Sequence, residues 1–227
     1  MRVILEARNI HKIYTNGKKE LHVLKGIDLT IDIGRFVVIV GPSGAGKSTL
    51  LHILGGLDSP TKGQVFFAGR DIYGLTDTSL SKLRNEKIGF VFQFYHLLSE
   101  FTVLENVLMP ALINTGLRMR RDALERKALG LLEKVGLIQR ITHFPVQLSG
   151  GEQQRVAVVR GLINEPEILF CDEPTGNLDS KTGEEIISLL KRINLENKMT
   201  VVLVTHNPEL AKIADSIYRL QDGVLEN

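Results

Sequence analysis

The sequence predicts an α/β fold in which a mostly parallel sheet is flanked by helices. Three short apolar runs predict buried strands, and helical patterns lie between them: Phe36–Val40, Ile168–Cys171 and Val201–Val204. A continuous apolar run is typical of a strand covered on both faces, and alternation with helices favours parallel pairing. Each run ends at polar residues, and ligands of such sheets bind beyond the carboxyl ends of the strands.

The segments before and between these runs predict two additions to the sheet. In the first third of the chain, Ile27, Leu29 and Ile31 alternate with polar residues, which predicts a half-buried strand. From Phe94 to Arg160 apolar residues recur mainly at helical spacing. We therefore predict a single domain over residues 1–227, in which residues 1–93 and 161–227 form the core and 94–160 an inserted helical subdomain.

Composition and charge narrow the class of protein. The 227 residues include 28 Lys and Arg against 26 Asp and Glu, and a net charge of +2 gives no reason to expect a nucleic-acid partner. No apolar run reaches the roughly 18 residues that a membrane span needs. Glu6 interrupts the stretch where a secretory signal would be apolar, and Cys171, the one cysteine, is expected in the core. Together these features favour a cytoplasmic protein.

The segment after the first apolar strand matches the phosphate-binding loop pattern G-x-x-x-x-G-K-[ST]. Its glycines allow backbone N–H groups to surround phosphates, Lys47 can reach the β- and γ-phosphates, and the Ser48 hydroxyl can ligate Mg²⁺. A strand before the loop and an apolar helix after it favour this interpretation over a chance glycine turn. The predicted nucleotide-binding residues here are Gly41, Pro42, Ser43, Gly44, Ala45, Gly46, Lys47, Ser48 and Thr49.

A second phosphate-binding segment is predicted at Leu148–Arg155, which reads Leu-Ser-Gly-Gly-Glu-Gln-Gln-Arg. Helix starts expose unpaired N–H groups and the positive end of the helix dipole, and glycines let a phosphate approach the backbone. The alternative is a helix cap made of small residues. The predicted ligand-binding residues of this segment are Ser149, Gly150, Gly151 and Glu152.

An acidic pair follows the second apolar strand. Asp172 ends this strand, where a carboxylate is placed to hold Mg²⁺. Glu173 comes one residue later and suits the role of a general base that orients the attacking water. The alternative is an acidic strand exit before Pro174, which is common in proteins. The phosphate-binding loop upstream favours the catalytic interpretation.

Three single residues extend the predicted site. Gln93 ends a predicted strand, where its amide is placed for the water bound to the metal. His206 ends the last apolar strand, where its imidazole is placed for the γ-phosphate. Tyr14 offers an aromatic ring that stacks on a purine. Each residue alone fits a structural role better, and only their order with the other motifs favours the functional one.

The ordered motifs resemble an ATP-binding cassette (ABC) ATPase subunit over essentially the whole chain. This resemblance implies a P-loop NTPase core with an N-terminal antiparallel β part, ATP and Mg²⁺ as ligands, and head-to-tail pairing with a second copy. Each ATP would lie between the Lys47 loop of one copy and Ser149–Gly151 of the other, and Asp179 would couple the two sites. The implied catalytic residues are Glu173, His206, Gln93 and Lys47, and the implied metal ligands are Ser48, Gln93 and Asp172.

A narrower resemblance is to the group of ATPases that contains the lipoprotein-releasing, MacB and FtsE types. It is carried by Leu83–Leu98, Phe101–Val107 and Met109-Pro110, with support from Gly55–Asp58 and Asp172–Asp179. It implies a peripheral protein on the cytoplasmic face of the inner membrane that powers the release or export of lipoproteins.

Alternatives within this group stay open. One is a regulatory FtsE-like ATPase that controls an extracytoplasmic enzyme through a membrane partner, and another is a MacB-like export ATPase, although MacB-type chains carry their own membrane segment. A chromosome or DNA-repair ATPase would need long coiled coils, and no long heptad pattern is present. The resemblance places integral membrane subunits near Phe94–Leu98; the alternative is that these apolar residues only pack the helical insert against the sheet.

Overall fold

The computed structural model of the chain describes residues 2–17, 19–113 and 121–226. These residues form two compact units: the first runs up to Arg84 and resumes at Asn194, and the second runs from Asn85 to Ile193. Within the described ranges, no helix is both long and apolar enough to cross a membrane. The second unit includes more residues than the predicted insert at both ends, so the subdomain boundaries at residues 94 and 160 stay a prediction.

The strands and helices follow one another along the chain as the α/β prediction expects. Within the described residues the strands are β1 (Val3–Asn16), β2 (Lys19–Asp32), β3 (Phe36–Val40), β4 (Lys62–Phe67), β5 (Arg70–Asp71), β6 (Ile88–Val91), β7 (Ile168–Asp172), β8 (Thr200–Thr205), β9 (Ser216–Gln221) and β10 (Val224–Glu226). The α-helices there are α1 (Lys47–Leu54), α2 (Asp77–Lys87), α3 (Val103–Ile113), α4 (Arg121–Lys134), α5 (Gly150–Leu162) and α6 (Ser180–Asn197).

The N-terminal part of the first unit is an antiparallel sheet, as the resemblance implied. Its strand order is β2-β1-β4-β5. Ile27, Leu29 and Ile31 of β2 are buried, while Asp28 and Thr30 between them are not. The period of two therefore directs one face of the strand into the core and the other outward.

The first unit also contains parallel strands. β3 pairs in parallel with β8 on one side and with β9 on the other, and β10 adds to β9 in antiparallel fashion. Every residue of β3 and β8 is buried, which explains why β3 and the Val201–Val204 part of β8 are apolar without alternation. Val40 lies opposite Thr205, so the loop after β3 and His206 after β8 begin at the same sheet edge.

The second unit combines two parallel strands with helices α3, α4 and α5, which pack on one another, and with most of α6. β6 pairs with β7 from Ile88 opposite Ile168 to Val91 opposite Cys171. The helices enclose an apolar core whose fully buried members are Val107, Ala128, Leu132, Val156 and Val159. Helical structure begins at Val103, whereas the residues from Phe94 to Thr102 form a non-helical segment.

Candidate nucleotide-binding site

The phosphate-binding loop of the first unit owes its shape to glycine. Gly46 precedes α1 with a φ of 100°, and Gly44 has a φ of 81° in open space. Both angles lie in the left-handed region, which glycine adopts without steric cost. At Gly41 a Cβ atom would come within 2.1 Å of the Leu220 carbonyl oxygen, so no larger residue fits. The loop can therefore follow this path only with its glycines in place.

Lys47 is the first residue of α1, and its side chain folds back over the loop. Its Nζ atom donates to the carbonyl oxygens of Gly41 and Pro42, at 2.9 Å each, and the residue is 6% exposed. The ammonium is therefore held against the backbone that leads into α1. Ser48 follows on the exposed side of the helix start. Both positions agree with the predicted roles toward phosphates and Mg²⁺, which remain predictions.

Tyr14 and His206 lie close to the same loop. The Tyr14 hydroxyl donates to the Asp58 carboxylate at 2.7 Å and also contacts the hydroxyl of Thr49. The Nζ atom of Lys12 lies 4.8 Å from the Tyr14 ring centroid, and Tyr14 is 43% exposed. His206 is exposed directly after Thr205, whose carbonyl accepts from the Gly41 N–H at 3.3 Å. The first unit thus brings the predicted purine-stacking and γ-phosphate residues to the loop.

The second unit gathers Gln93, Asp172 and Glu173 at the ends of β6 and β7. Because Val91 lies opposite Cys171, the two strands end side by side. The Gln93 amide donates to Asn177 Oδ1 at 3.1 Å, and the Asn177 amide donates to the Gln93 carbonyl at 3.1 Å. These reciprocal bonds fix the orientation of Gln93.

Glu173 has an unusual backbone conformation. Its φ is 46°, in the left-handed region, and it precedes a proline, which favours extended backbone in the residue before it. A conformation of this kind costs about 1–3 kcal/mol and persists only when the surroundings enforce it. The Glu173 carbonyl accepts from the Gly176 N–H at 3.0 Å, and the Pro174 carbonyl accepts from the Gln154 amide at 2.7 Å. The predicted general base is therefore a strained residue that its neighbours hold in place.

The helix predicted to start at Ser149 does so. Ser149 is the N-cap of α5: its hydroxyl accepts from the Glu152 N–H at 3.3 Å, and the Glu152 carboxylate accepts from the Ser149 N–H at 2.8 Å. That backbone N–H is the main reason why the pKa of Glu152 is lowered. Glu152 therefore serves the helix start, and its predicted contact with nucleotide stays a prediction.

Asp179 lies close to the start of α5. A Cβ atom at Gly151 would come within 2.4 Å of the Thr182 methyl group. The Thr182 hydroxyl and its backbone N–H both donate to the Asp179 carboxylate, the backbone N–H at 3.0 Å. The second unit thus brings together two elements that the resemblance places at an interface between copies.

The non-helical segment from Phe94 to Thr102 is tied to α3 and α5. The Arg160 guanidinium of α5 donates to the carbonyls of Tyr95, at 2.8 Å, and His96, at 2.5 Å. Burial lowers the pKa of Arg160. The Asn106 side chain of α3, which is 1% exposed, accepts from the Leu98 N–H at 2.8 Å and donates to the carbonyl of the same residue. These contacts leave the segment few conformations.

The apolar residues of this segment point in different directions. Phe94 is 66% and Leu98 42% exposed, whereas Leu97 packs against the apolar core of the second unit. Tyr95 is half-buried, and a Cβ atom at Gly150 would lie 2.8 Å from its hydroxyl oxygen. The two interpretations of this segment therefore apply to different residues: packing describes Leu97, and exposure leaves Phe94 and Leu98 accessible to a partner.

Sequence reasoning missed the contacts of several residues around the proposed site: Asn106, Gln154, Arg160 and Asn177. Three of them, Asn106, Gln154 and Asn177, lie in segments that carried the resemblance, but no role was predicted for them. Of these, Gln154 left a readable signal, because it is a polar residue between Gly151 and Val158 on the buried stripe of α5. The partners of the others, like those of Gln154, are mainly main-chain groups, which a sequence pattern does not reveal.

Comparison with known proteins identifies the family. A family model described as ABC transporter matches residues 24–176. The lipoprotein-releasing system ATP-binding protein LolD of Geobacter metallireducens is 51% identical over 98% of this chain and 98% of its own length. LolD of Acinetobacter baylyi is 48% identical over 98% of this chain and 97% of its own length.

Solved structures agree with this result. The dimeric ABC transporter cassette MJ0796 matches with a TM-score of 0.91 and 44% identity, over 98% of this chain and 97% of its own. The same cassette is known in a dimeric post-hydrolysis state bound to ADP and Pi. The cassette cbiO1 of Clostridium perfringens, at 28% identity, has a TM-score of 0.86 over 100% of this chain and 88% of its own. The chain therefore belongs to the ABC transporter family and is an ATP-binding subunit that hydrolyses ATP.

Proposed function

We propose that this protein is the ATPase of a lipoprotein-releasing complex and that two copies pair around two ATP molecules. The observation that carries the proposal is the presence of two helix starts suited to phosphate: the Lys47 loop before α1, and the exposed Ser149 cap before α5. A second helix N-terminus suited to phosphate is explained if it binds the nucleotide held by another copy. The dimeric MJ0796 cassette supports the pairing, and the LolD relatives, similar along almost their whole length, support the cargo.

Each predicted site residue has a defined task in ATP hydrolysis. Lys47 neutralises phosphate charge, Tyr14 stacks on the purine, and Glu173 orients the attacking water and accepts its proton. His206 donates to the γ-phosphate, and Gln93 senses its presence. The partner's helix start at Ser149 completes the site, and Asp179 couples the two sites.

Mg²⁺ fits the donor set of this chain. Ser48, Gln93 and Asp172 offer hydroxyl, amide and carboxylate oxygens, which suit this ion, and they would hold it. Among the described residues no group of three or more His, Cys, Asp or Glu side chains is placed to bind a metal alone. Mg²⁺ in nucleotide sites takes its other ligands from water and substrate phosphates. When bound, the ion would neutralise charge on the phosphate that is transferred.

The exposed part of the segment after Gln93 is the proposed contact with the integral membrane subunits. Phe94 and Leu98 are large apolar side chains left accessible on a segment that Arg160 and Asn106 hold in shape. Apolar anchors on a held loop are typical of a surface that receives a partner helix. We infer that the protein lies peripherally on the cytoplasmic face of the inner membrane.

Reconstitution tests this function. Tagged protein is purified with its membrane subunits, inserted into proteoliposomes that contain a labelled lipoprotein, and supplied with ATP and an acceptor for the lipoprotein. ATP-dependent transfer of the label supports the proposal, and the Glu173→Gln complex serves as the inactive control. If membrane subunits co-purify but ATP turnover transfers no label, and instead switches on an extracytoplasmic hydrolase, the FtsE-like alternative is correct.

A further inference from the structure

Gln154 is a fully buried amide whose position links two parts of the proposed site. It is 0% exposed and lies in α5, five residues after the Ser149 cap. At 1.5 Å per residue, the two positions are about 7.5 Å apart along the helix axis. Because the helix between them is regular, a displacement of Ser149 along this axis also displaces Gln154.

The Gln154 amide joins the ends of β6 and β7. Its Nε2 atom donates to the Pro174 carbonyl at 2.7 Å and to the Phe92 carbonyl at 3.3 Å. The last pair of the strand ladder is Val91 opposite Cys171, so Gln154 bridges the two strands just beyond the point where their own pairing stops. Phe92 immediately precedes Gln93, and Pro174 immediately follows the strained Glu173.

The amide is not well explained as a source of stability. Its Oε1 atom has no hydrogen-bond partner among the residues that the structure describes. A buried acceptor without a partner destabilises the folded state and offsets part of what the two donated bonds contribute. An apolar side chain of the same length would fill this place in an otherwise apolar helix face. The presence of an amide here is better explained by the position that it imposes on its two carbonyl partners.

We propose that Gln154 is a positioning residue that couples the two ATP sites of the pair. In the proposed pairing, Ser149 contacts the ATP held by the other copy, whereas Gln93 and Glu173 act on the ATP of their own copy. Gln154 connects these groups within one chain. Contact of Ser149 with one ATP fixes the position of α5, and α5, through Gln154, fixes the position of the backbone beside Gln93 and Glu173. This inference rests on the proposed function, because it requires the pair.

The test compares Gln154→Met and Gln154→Glu with wild type in steady-state ATP hydrolysis. Methionine keeps the length of the side chain and removes the amide nitrogen that donates both hydrogen bonds. Glutamate also removes this nitrogen but keeps the shape of the side chain. We expect kcat to fall at least tenfold, the affinity of the single subunit for ATP to stay within twofold, and the Hill coefficient for ATP to fall to one. A purely structural role would lower Tm without changing the Hill coefficient of the folded fraction.

The matched control is Asn194→Leu in the first unit. Asn194 is 2% exposed and likewise donates its amide to two main-chain carbonyls, those of Met199 at 2.7 Å and Gly34 at 3.0 Å. We expect this variant to lose stability while its kcat and Hill coefficient stay at wild-type values. It therefore separates the loss of a buried amide from the loss of this particular link.

The outcomes distinguish the inference from the function on which it rests. If wild type hydrolyses ATP as a monomer with a Hill coefficient of one, the pairing itself is wrong. If wild type is cooperative and Gln154→Met keeps its kcat and Hill coefficient, only the inference is overturned. It is also overturned if neither Gln154 variant folds, or if Asn194→Leu loses cooperativity to the same extent.

Discussion

Lys47 illustrates how single residues of this protein are oriented by the backbone that they serve. Its ammonium contacts the carbonyls of Gly41 and Pro42, in the loop that is proposed to surround the phosphates. The main chain thus orients the charge within the loop, which reduces the ordering that binding requires. Glu173 is placed in the same manner, by hydrogen bonds to the backbone on its carboxyl side.

Removal of the Lys47 charge is expected to weaken ATP binding selectively. A hydrogen bond to a charged group contributes about 1.5–3 kcal/mol, so Lys47→Ala should lower ATP affinity roughly ten- to hundredfold. Titration with a fluorescent ATP analogue measures the affinity, and circular dichroism verifies the fold. Affinity near that of wild type in a folded variant would mean that Lys47 does not bind the phosphates.

Substitution of the proposed base should separate chemistry from binding. Glu173→Gln keeps the shape of the side chain but no longer accepts a proton, so hydrolysis should fall on the order of a hundredfold or more. ATP binding should persist, and the ATP-bound pair should live longer. Phosphate release and size-exclusion chromatography with ATP measure the two effects. A variant that retains half the normal rate would point to another base, and His206 would be examined first.

The sequence allowed most of the proposed site residues to be placed, for a physical reason. Asp172 ends an apolar strand, and Gln93 and Glu173 follow such strands within two residues. The paired ends of these strands lie at one sheet edge, as β6 and β7 do. Gln154 could not be assigned a partner in this way. Its acceptors are main-chain carbonyls 62 and 20 positions away, and any residue type can supply a carbonyl.

Among the elements, the non-helical segment from Phe94 to Thr102 shows where sequence reasoning stops. Large apolar side chains are required both to pack a core and to receive a partner, so composition alone could not separate the two roles. Helical periodicity also gave no warning that α3 begins only at Val103. The capping side chains of Thr102 and Glu105 mark this start: the Glu105 carboxylate accepts from the Thr102 N–H at 2.8 Å.

Two neighbouring leucines test the roles within this segment. Leu98→Ala should leave Tm nearly unchanged and abolish co-purification with the membrane subunits, because Leu98 is exposed. Leu97→Ala is the matched control: its side chain packs against the core, so we expect a loss of about 1–3 kcal/mol of stability. Thermal unfolding and tagged co-purification measure both. If Leu98→Ala instead melts at a markedly lower temperature, the proposed contact surface is wrong.

The stability that the N-terminal cap of α5 contributes should depend on pH, because Glu152 is part of this cap. Because the folded state lowers the pKa of this carboxyl, its contribution to stability is present above its ordinary pKa and is lost as pH falls through the lowered value. At neutral pH, Glu152→Ala should cost about 1 kcal/mol, typical of a helix cap. Urea unfolding of wild type and variant across the acidic range should show this difference vanish at low pH. A difference that stays constant would contradict the capping role.

At the scale of the whole molecule, the two helix starts suited to phosphate predict a symmetric pair. Ser149→Arg would place a bulky side chain where the other copy presents its ATP, so hydrolysis should be blocked while the single subunit still binds ATP. Mixed with Lys47→Ala, it should restore at most one working site per pair, because each variant supplies what the other lacks. ATPase rates at increasing protein concentration measure this. Full activity in a demonstrated monomer would exclude the pairing.

The fold class of the molecule could be predicted because its strands differ in burial. The runs Phe36–Val40 and Val201–Val204 are apolar throughout, whereas β2 alternates. In the structure β3 and β8 are fully buried, and β2 buries one face along residues 24–31. The extent of the compact units was harder to predict. The second unit includes β6 and β7 besides the helices, since β6 contacts α5 and pairs with β7, and these contacts appear only once the chain has folded.

The buried thiol of Cys171 provides a chemical measure of local opening at β7. It is the one cysteine of the sequence, it is 0% exposed in β7, and burial raises the pKa of its thiol. A thiol reagent therefore meets a protonated sulfur behind closed packing and reacts only when the strand separates from its neighbours. Because the next residue is Asp172, the alkylation rate of this sulfur measures how often the strand that carries the proposed metal ligand opens. The rate can be measured on the natural sequence, with no engineered label.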